Sequence, residues 1–200
     1  MFNTLMEKEA AQTPNVIEKQ IIANQPLVEK IGHKLRDMAP KVVMMIGRGS
    51  SDHAGVFGKY LIEIEAGVPV SSAAPSVASV YGKTLKLEGA VVIVISQSGR
   101  SPDILAQAKM AKEAGAYCIA LVNDEASPLQ DIVDDFVPLK AGDEISVAAT
   151  KSYLATLSAL VHIVANWTQN ESLLQGLDEL PSALNAIIDS PTQLQPTEFA

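Results

Sequence analysis

An unbroken apolar run, Ala90-Val91-Val92-Ile93-Val94-Ile95, leads into Ser96-Gln97-Ser98-Gly99-Arg100-Ser101 and then Pro102-Asp103-Ile104. A run of strand length with no polar alternation belongs to a strand covered on both faces. Glycine permits a sharp turn, and proline suits the first position of a helix. The order is therefore buried strand, hydroxyl-dense turn, helix. A helix start carries unpaired N–H groups and a partial positive charge, so this turn suits an anion. A cap needs one hydroxyl, which Ser101 is expected to supply, yet the turn holds three serines and a glutamine. That surplus points to a phosphate on a small metabolite, held by charge-assisted hydrogen bonds. Asp103 favours the helix dipole and must point away from such a phosphate, and Arg100 reads as solvated.

The strand-then-helix order recurs along the chain. Residues 42–46 form a strand ending at Gly47, and residues 52–65 a helix with Phe57, Tyr60, Leu61 and Ile64 on its inward face. A weaker strand starts at 68–70, and a short helix covers 76–81. After strand 90–95 comes a helix from 102 to about 114, with Ile104, Leu105, Ala108 and Ala111 inward. Residues 117–122 are a fourth strand, Ser127-Pro128 opens a brief helix, and 136–139 are a fifth strand at an edge. Alternating strands and helices of this kind predict a parallel sheet covered on both faces, a three-layer αβα sandwich. Before it, residues 5–38 read as two helices separated at Pro26, with Thr13 a cap. After it, a long helix spans about 148–167 with an apolar stripe of Leu154, Leu157, Leu160, Val161 and Val164. A last helix, 171–188, carries Leu173, Leu174, Leu177 and Leu180, and 190–197 has linker composition. The division is thus a helical lead at 1–40, an α/β domain at 41–170 and a tail at 171–200.

Bulk properties narrow the function. Two hundred residues suffice for a core without covalent staples. A net charge of −8, with no Lys/Arg cluster, disfavours nucleic acid as partner. Cys118 is the sole cysteine, which excludes an internal disulfide and suits a reducing cytoplasm. The three histidines and this cysteine lack metal-ligand spacing, so neither metal nor other cofactor is expected. No apolar run reaches bilayer length, and no membrane partner is expected.

Two further loops fall at strand ends, where ligands of open α/β domains sit. Gly47-Arg48-Gly49-Ser50-Ser51-Asp52 fails the dinucleotide fingerprint, because position 52 is aspartate. It leaves Ser50 and Ser51 at the mouth of the sheet. His53, four residues before Phe57, is expected on the inward face as a packing residue. Gly142-Asp143-Glu144-Ile145-Ser146-Val147-Ala148-Ala149-Thr150-Lys151 is either a loop capped at Ser146 or Thr150, or a pocket wall offering Glu144 and Lys151.

Taken together, residues 47–51, 96–103 and 142–153 resemble the sugar isomerase (SIS) family of phosphosugar-binding domains. The likeness extends to the isomerase half of glucosamine-6-phosphate synthases and, more closely, to SIS-type glucosamine-6-phosphate deaminases. It implies a flavodoxin-like fold with sugar phosphate on Ser96, Gln97, Ser98 and Ser101, helped by Ser51. Ser50 and the backbone around Val147 to Ala149 would face the sugar. Ala149 departs from the synthase pattern, which has serine there, while Arg100 and Pro102 match the deaminases. Phe2 stands where a glutamine-hydrolysing partner domain has cysteine, so glutamine is not expected to donate ammonia. In two-module relatives the acid–base residues lie in the second module, and the chain is expected to stop in the linker to it. A single-module isomerase of the sedoheptulose-7-phosphate type would instead use Glu144 and His53 for acid–base work. A non-catalytic sensor is disfavoured by an N-terminal segment too short and acidic for a DNA reader. A homodimer is expected.

Overall fold

The computed structural model describes residues 4–190; the expected linker beyond Ser190 lies outside them. Five strands, β1 (Val43–Ile46), β2 (Val70–Ser72), β3 (Val91–Ser96), β4 (Tyr117–Val122) and β5 (Asp135–Pro138), pair in the order β2-β1-β3-β4-β5. Every pairing is parallel, with Val43 opposite Val70 and Val91, and Val91 opposite Tyr117. The helices are α1 (Leu5–Ala11), α2 (Thr13–Met38), α3 (Ser50–Glu65), α4 (Pro75–Ser79), α5 (Pro102–Glu113), α6 (Lys151–Thr168) and α7 (Glu171–Asp189). A short 3-10 helix, Pro128–Asp131, precedes β5 and is capped by the Ser127 hydroxyl. The fold is the expected α/β sandwich.

Successive strand residues face opposite sides, which sorts the apolar runs into two cores. Met45, Ile93, Ile95, Ile119 and Leu121 pack with α2, α3 and α6. Met44, Val92, Val94, Ala120 and Val122 pack with α5 and the 3-10 helix. Cys118 is fully buried in this second core, and burial pushes its thiol pKa up to about 12. Among the described residues no helix is long and apolar enough to cross a membrane.

Three local expectations are corrected. The helical break falls at Gln12, and α2 runs through Pro26 without interruption. A mid-helix proline removes a hydrogen bond at a cost of about 3 kcal/mol. Pro26 is exposed, so water reaches the freed carbonyl, while the opposite face is anchored by side chains on both sides of the proline. Gln20 donates to the Leu139 and Ala155 carbonyls, Asn24 to Pro138, and Val28, Ile31 and Leu35 are buried. Thr13 is not the cap of α2, whose N-cap is Gln12.

The second correction concerns α3. Its buried face is Ala54, Gly55, Gly58 and Ile62, while Phe57, Tyr60 and Ile64 are exposed. A Cβ on Gly58 would lie 2.9 Å from Met45 Cε, so the small residues are the contact surface. The third is a rotation of α6, which buries Ala155, Ala159, Ile163 and Val164 and leaves Leu154 exposed. His162, expected off the stripe, is buried and hydrogen-bonds Gln25 at 2.7 Å.

α6 lies against α2 through a close backbone approach at Gly32. A Cβ there would sit 2.8 Å from the Asn166 carbonyl carbon and oxygen, both rigid helix atoms. Arg36, one turn on, donates to the Asn166 and Trp167 carbonyls at the end of α6. Gly32→Ala must push the two helices apart, a strain that typically costs about 1–3 kcal/mol. Thermal denaturation should show a lower Tm, and an unchanged Tm would mean that the helices separate freely.

Candidate functional site

In a sheet ordered β2-β1-β3-β4-β5, the connections leaving β1 and β3 depart to opposite faces, and a crevice opens between them. Both serine-rich loops meet there. Gly49 (φ +57) precedes α3, whose first turn presents Ser50 and Ser51. Across the crevice the Ser96–Ser101 turn opens α5. A cleft between them is lined by Ser50, Ser51, Gln97, Ala149, Ser152 and Tyr153. An adjoining hollow sharing Gln97 adds Ser98, Asn123, Asp124, Glu144 and Ile145.

The turn is held from within and from behind. Gly99 N–H donates to Ser96 Oγ at 2.9 Å, and Arg100 N–H lies 3.4 Å from Ser98 Oγ. Asn123 and Asp124 N–H groups donate to the Gln97 carbonyl at 3.1 and 3.0 Å. Ser127 Oγ donates to the Gly99 carbonyl at 3.1 Å. Gly99 adopts φ +62, and a Cβ there would fall 2.0 Å from Ser127 Oγ, so no other residue fits without moving the 3-10 segment. Arg100 is not merely solvated. It donates to Asp124 Oδ2 at 3.0 Å and to the Ala126 carbonyl, clamping the β4 loop to the turn. Asp103 pairs with Arg48 of the loop after β1, which balances its charge.

Ser101 sits at the N-cap of α5 with extended backbone, yet its hydroxyl makes no capping bond. The predicted side-chain cap is absent, and the residue is exposed. The acids around the hollow are largely spent on other groups. Asp124 is tied to Arg100, and Glu125 to Lys140 at 2.8 Å.

Glu144 is the clearest revision of a candidate role. Its carboxylate accepts N–H bonds from Thr150 at 3.1 Å and Ser152 at 3.0 Å, and hydroxyl bonds from Thr150 and Ser152. Thr150 holds the N-cap position of α6 as expected but makes no side-chain cap, and Glu144 supplies the capping acceptor. Burial opposes its charge, but the bonds from Ser152 and Thr150 outweigh that and hold the pKa below its ordinary value. A carboxylate so saturated is a poor base. His53 is exposed, not inward, and lines a hollow with Phe57 that shares Ser50, Ala149 and Tyr153 with the cleft.

The structure thus gathers Ser50, Ser51, Gln97 and Ala149 around one cleft and places Ser98 beside it. Ser96 is buried beneath the turn, Ser101 lies outside both linings, and the Val147 side chain points fully into solvent. Sequence reasoning missed Tyr153, Ser152 and Thr156 on α6 and Asn123 after β4. Polar residues four apart on an apolar helix, and an asparagine closing an apolar strand, were the available signals.

The SIS domain family model matches residues 39–165. A glutamine–fructose-6-phosphate aminotransferase (isomerizing) of Aquifex aeolicus is 33% identical over 97% of this chain, which spans 32% of that protein. The chain therefore corresponds to about a third of the length of such curated relatives. A solved structure from Silicibacter pomeroyi, provisionally assigned as a phosphosugar isomerase, superimposes with a TM-score of 0.90 at 38% identity. That match covers 92% of this chain and 56% of the other. The C-terminal domain of glucosamine-fructose-6-phosphate aminotransferase from Francisella tularensis gives 0.74 at 25% identity, over 94% and 54% of the two chains.

The capping role of Glu144 has a pH signature. A carboxyl with a depressed folded pKa contributes stability that is present above its unfolded value and lost as pH falls through the folded one. Glu144→Gln should lower stability at pH 7 by about 1 kcal/mol. The gap between the two proteins should close on acidification below the ordinary glutamate value of 4.5. Denaturant titrations at pH 7 and pH 3 measure it, and a gap of constant size would contradict the assignment.

Proposed function

Because the chain belongs to the SIS domain family, we propose that it is the phosphosugar-binding module of an amino-sugar phosphate deaminase/isomerase. The reaction takes glucosamine 6-phosphate and water to fructose 6-phosphate and ammonia, through ring opening and proton transfer between neighbouring carbons. One observation carries this reading: the Ser96–Ser101 turn at the start of α5 is braced by Ser127 and Arg100, and the Ser101 hydroxyl is not spent on capping the helix. Donors held in place before the ligand arrives lose little entropy on binding it.

On this reading Gln97, Ser98 and Ser101 donate to the phosphate with the partial positive end of α5 behind them. Ser96 contributes its own proton while accepting from Gly99. Ser51 reaches the phosphate from α3, and Ser50 with the backbone at 147–149 faces the sugar. Proton transfer falls to groups supplied by another module or copy, because Glu144 is engaged at α6. The same engagement counts against a self-sufficient single-module isomerase. No metal or organic cofactor is required for such a proton transfer.

A homodimer belongs to the proposal. The exposed α3 stripe of Val56, Tyr60 and Ile64, spaced four apart, continues from the hollow beside Ser50. Apolar stripes of this kind on a folded surface mark association sites. A cytoplasmic setting accords with the single buried thiol.

Two measurements test this. Ser98→Ala removes a hydrogen bond to a charged group, about 1.5–3 kcal/mol, so the Kd for fructose 6-phosphate should rise at least tenfold by calorimetry. Ammonia release from glucosamine 6-phosphate would support full activity in this chain, and binding without release a binding module. Absence of binding by either sugar phosphate would end the proposal. For assembly, Tyr60→Lys should halve the solution mass at micromolar concentration, and a wild-type monomer would remove the dimer.

A further inference from the structure

The wall of the cleft is held only in part by its own residues, through Glu144 and the Ser146 hydroxyl. Between Gly142 and Thr150 the chain has neither helix nor strand, and Asp143, Ile145, Val147 and Ala148 are exposed. A loop of this kind needs outside partners to keep one shape. It finds the main one on α1, more than 130 residues earlier. Glu9 is only 5% exposed, and its carboxylate accepts the Ile145 N–H at 2.6 Å and the Ser146 N–H at 3.2 Å. It also accepts the Ser146 hydroxyl, and the Thr150 hydroxyl lies 3.5 Å away.

The neighbouring contact repeats the arrangement. Lys151, 5% exposed at the first position of α6, donates its ammonium to Gln12 Oε1 at 2.7 Å. α1 and the residue after it therefore grip both ends of the segment from Ile145 to Lys151. Glu144 then turns the other way, onto α6. The bonds from Ser146 and Ile145, with Lys151 nearby, outweigh burial and keep the Glu9 carboxyl below its ordinary pKa. It is therefore ionised at neutral pH and suited to anchoring backbone N–H groups.

We infer that Glu9 is a positioning residue that sets the sugar-facing wall at 145–150, independently of the phosphate turn. The inference rests on the phosphosugar reading of the cleft, and it divides the site into two separately supported halves. The phosphate turn is braced by the loop after β4 and by the 3-10 segment. The sugar wall is braced by α1. Discrimination between sugars resides in the second half, affinity for the phosphate group in the first.

Glu9→Gln keeps the size of the side chain and removes its charge. Hydrogen exchange should show loss of protection at the Ile145 and Ser146 amides, with the Gln97–Ser101 region unchanged. Calorimetry should show the Kd for fructose 6-phosphate rising about tenfold, equivalent to about 1.4 kcal/mol, while inorganic phosphate binds within about twofold of wild type. Glu9→Asp, which restores the charge, should recover part of the sugar-phosphate affinity. Unchanged exchange at Ile145 and Ser146 would overturn the positioning role whatever the ligand. Lost protection with unchanged fructose 6-phosphate affinity would show that Glu9 holds the loop but that the loop does not face the sugar, which overturns the inference and dismisses that wall from the proposed site. Equal weakening for both ligands would show general damage and also overturn the inference. Should Glu9→Gln fail to fold, Ser146→Ala removes the hydroxyl part of the anchor from the loop side and must give the same split between the two ligands in smaller measure, an unchanged ratio overturning the inference.

Discussion

Parallel pairing of β1 with β3 is the constraint from which the rest follows. A parallel ladder puts every carboxyl end on one edge of the sheet, and each strand must return over a face to start the next. With β2 outside β1 and β4 outside β3, the returns from β1 and β3 separate at the centre of that edge. α3 and α5 consequently start side by side but leave on opposite faces, each presenting the first turn of a helix to the same crevice. No other pair of loops in the sheet has that relation. The serines at 50–51 and 96–101 are placed by topology, and their chemistry is the part that local sequence supplies.

Acidic side chains then do unusual service in this negatively charged chain. Glu144 caps α6, Glu9 anchors the loop before it, and Asp124 holds Arg100 against the phosphate turn. Each carboxylate accepts two or more donors from backbone or side chain. Carboxylates tied in this way stiffen irregular chain without adding apolar bulk at a polar cleft. The charges of Asp124, Glu125 and Glu144 beside the cleft are already matched by cations or by N–H groups.

How much of this was legible depends on how local the cause is. Strand β4 and helix α5 were readable almost to the residue, because a six-residue apolar run and a serine-proline helix start are self-contained signals. The three motif loops were readable for the same reason. The inward face of α3 was not. Phe57, Tyr60 and Ile64 repeat at helical spacing, but so do Gly55, Gly58 and Ile62, and periodicity cannot say which stripe meets the sheet. Contact with Met45 and Leu160 decides it, since only glycine lets α3 come that near. Pro26 misled for a related reason, because the anchors that carry α2 through it lie on β5 and α6.

The amino-acid sequence by itself determined the layer architecture, the sites of the turns and the hydroxyl and amide donors of the 96–101 turn. These follow from hydrophobic runs, turn residues and helix-start signals within a few positions of one another. Only the tertiary structure decided that the Glu144 carboxylate caps α6, that Ser101 makes no side-chain cap, and that Glu9 bonds a loop more than 130 residues along the chain. Those roles turn on which donors lie within 3 Å of a given oxygen. The Glu9 partners lie more than 130 residues away and leave no periodic trace in the sequence. The Glu144 partners, though six and eight residues on, are chosen by how an irregular loop folds back on α6.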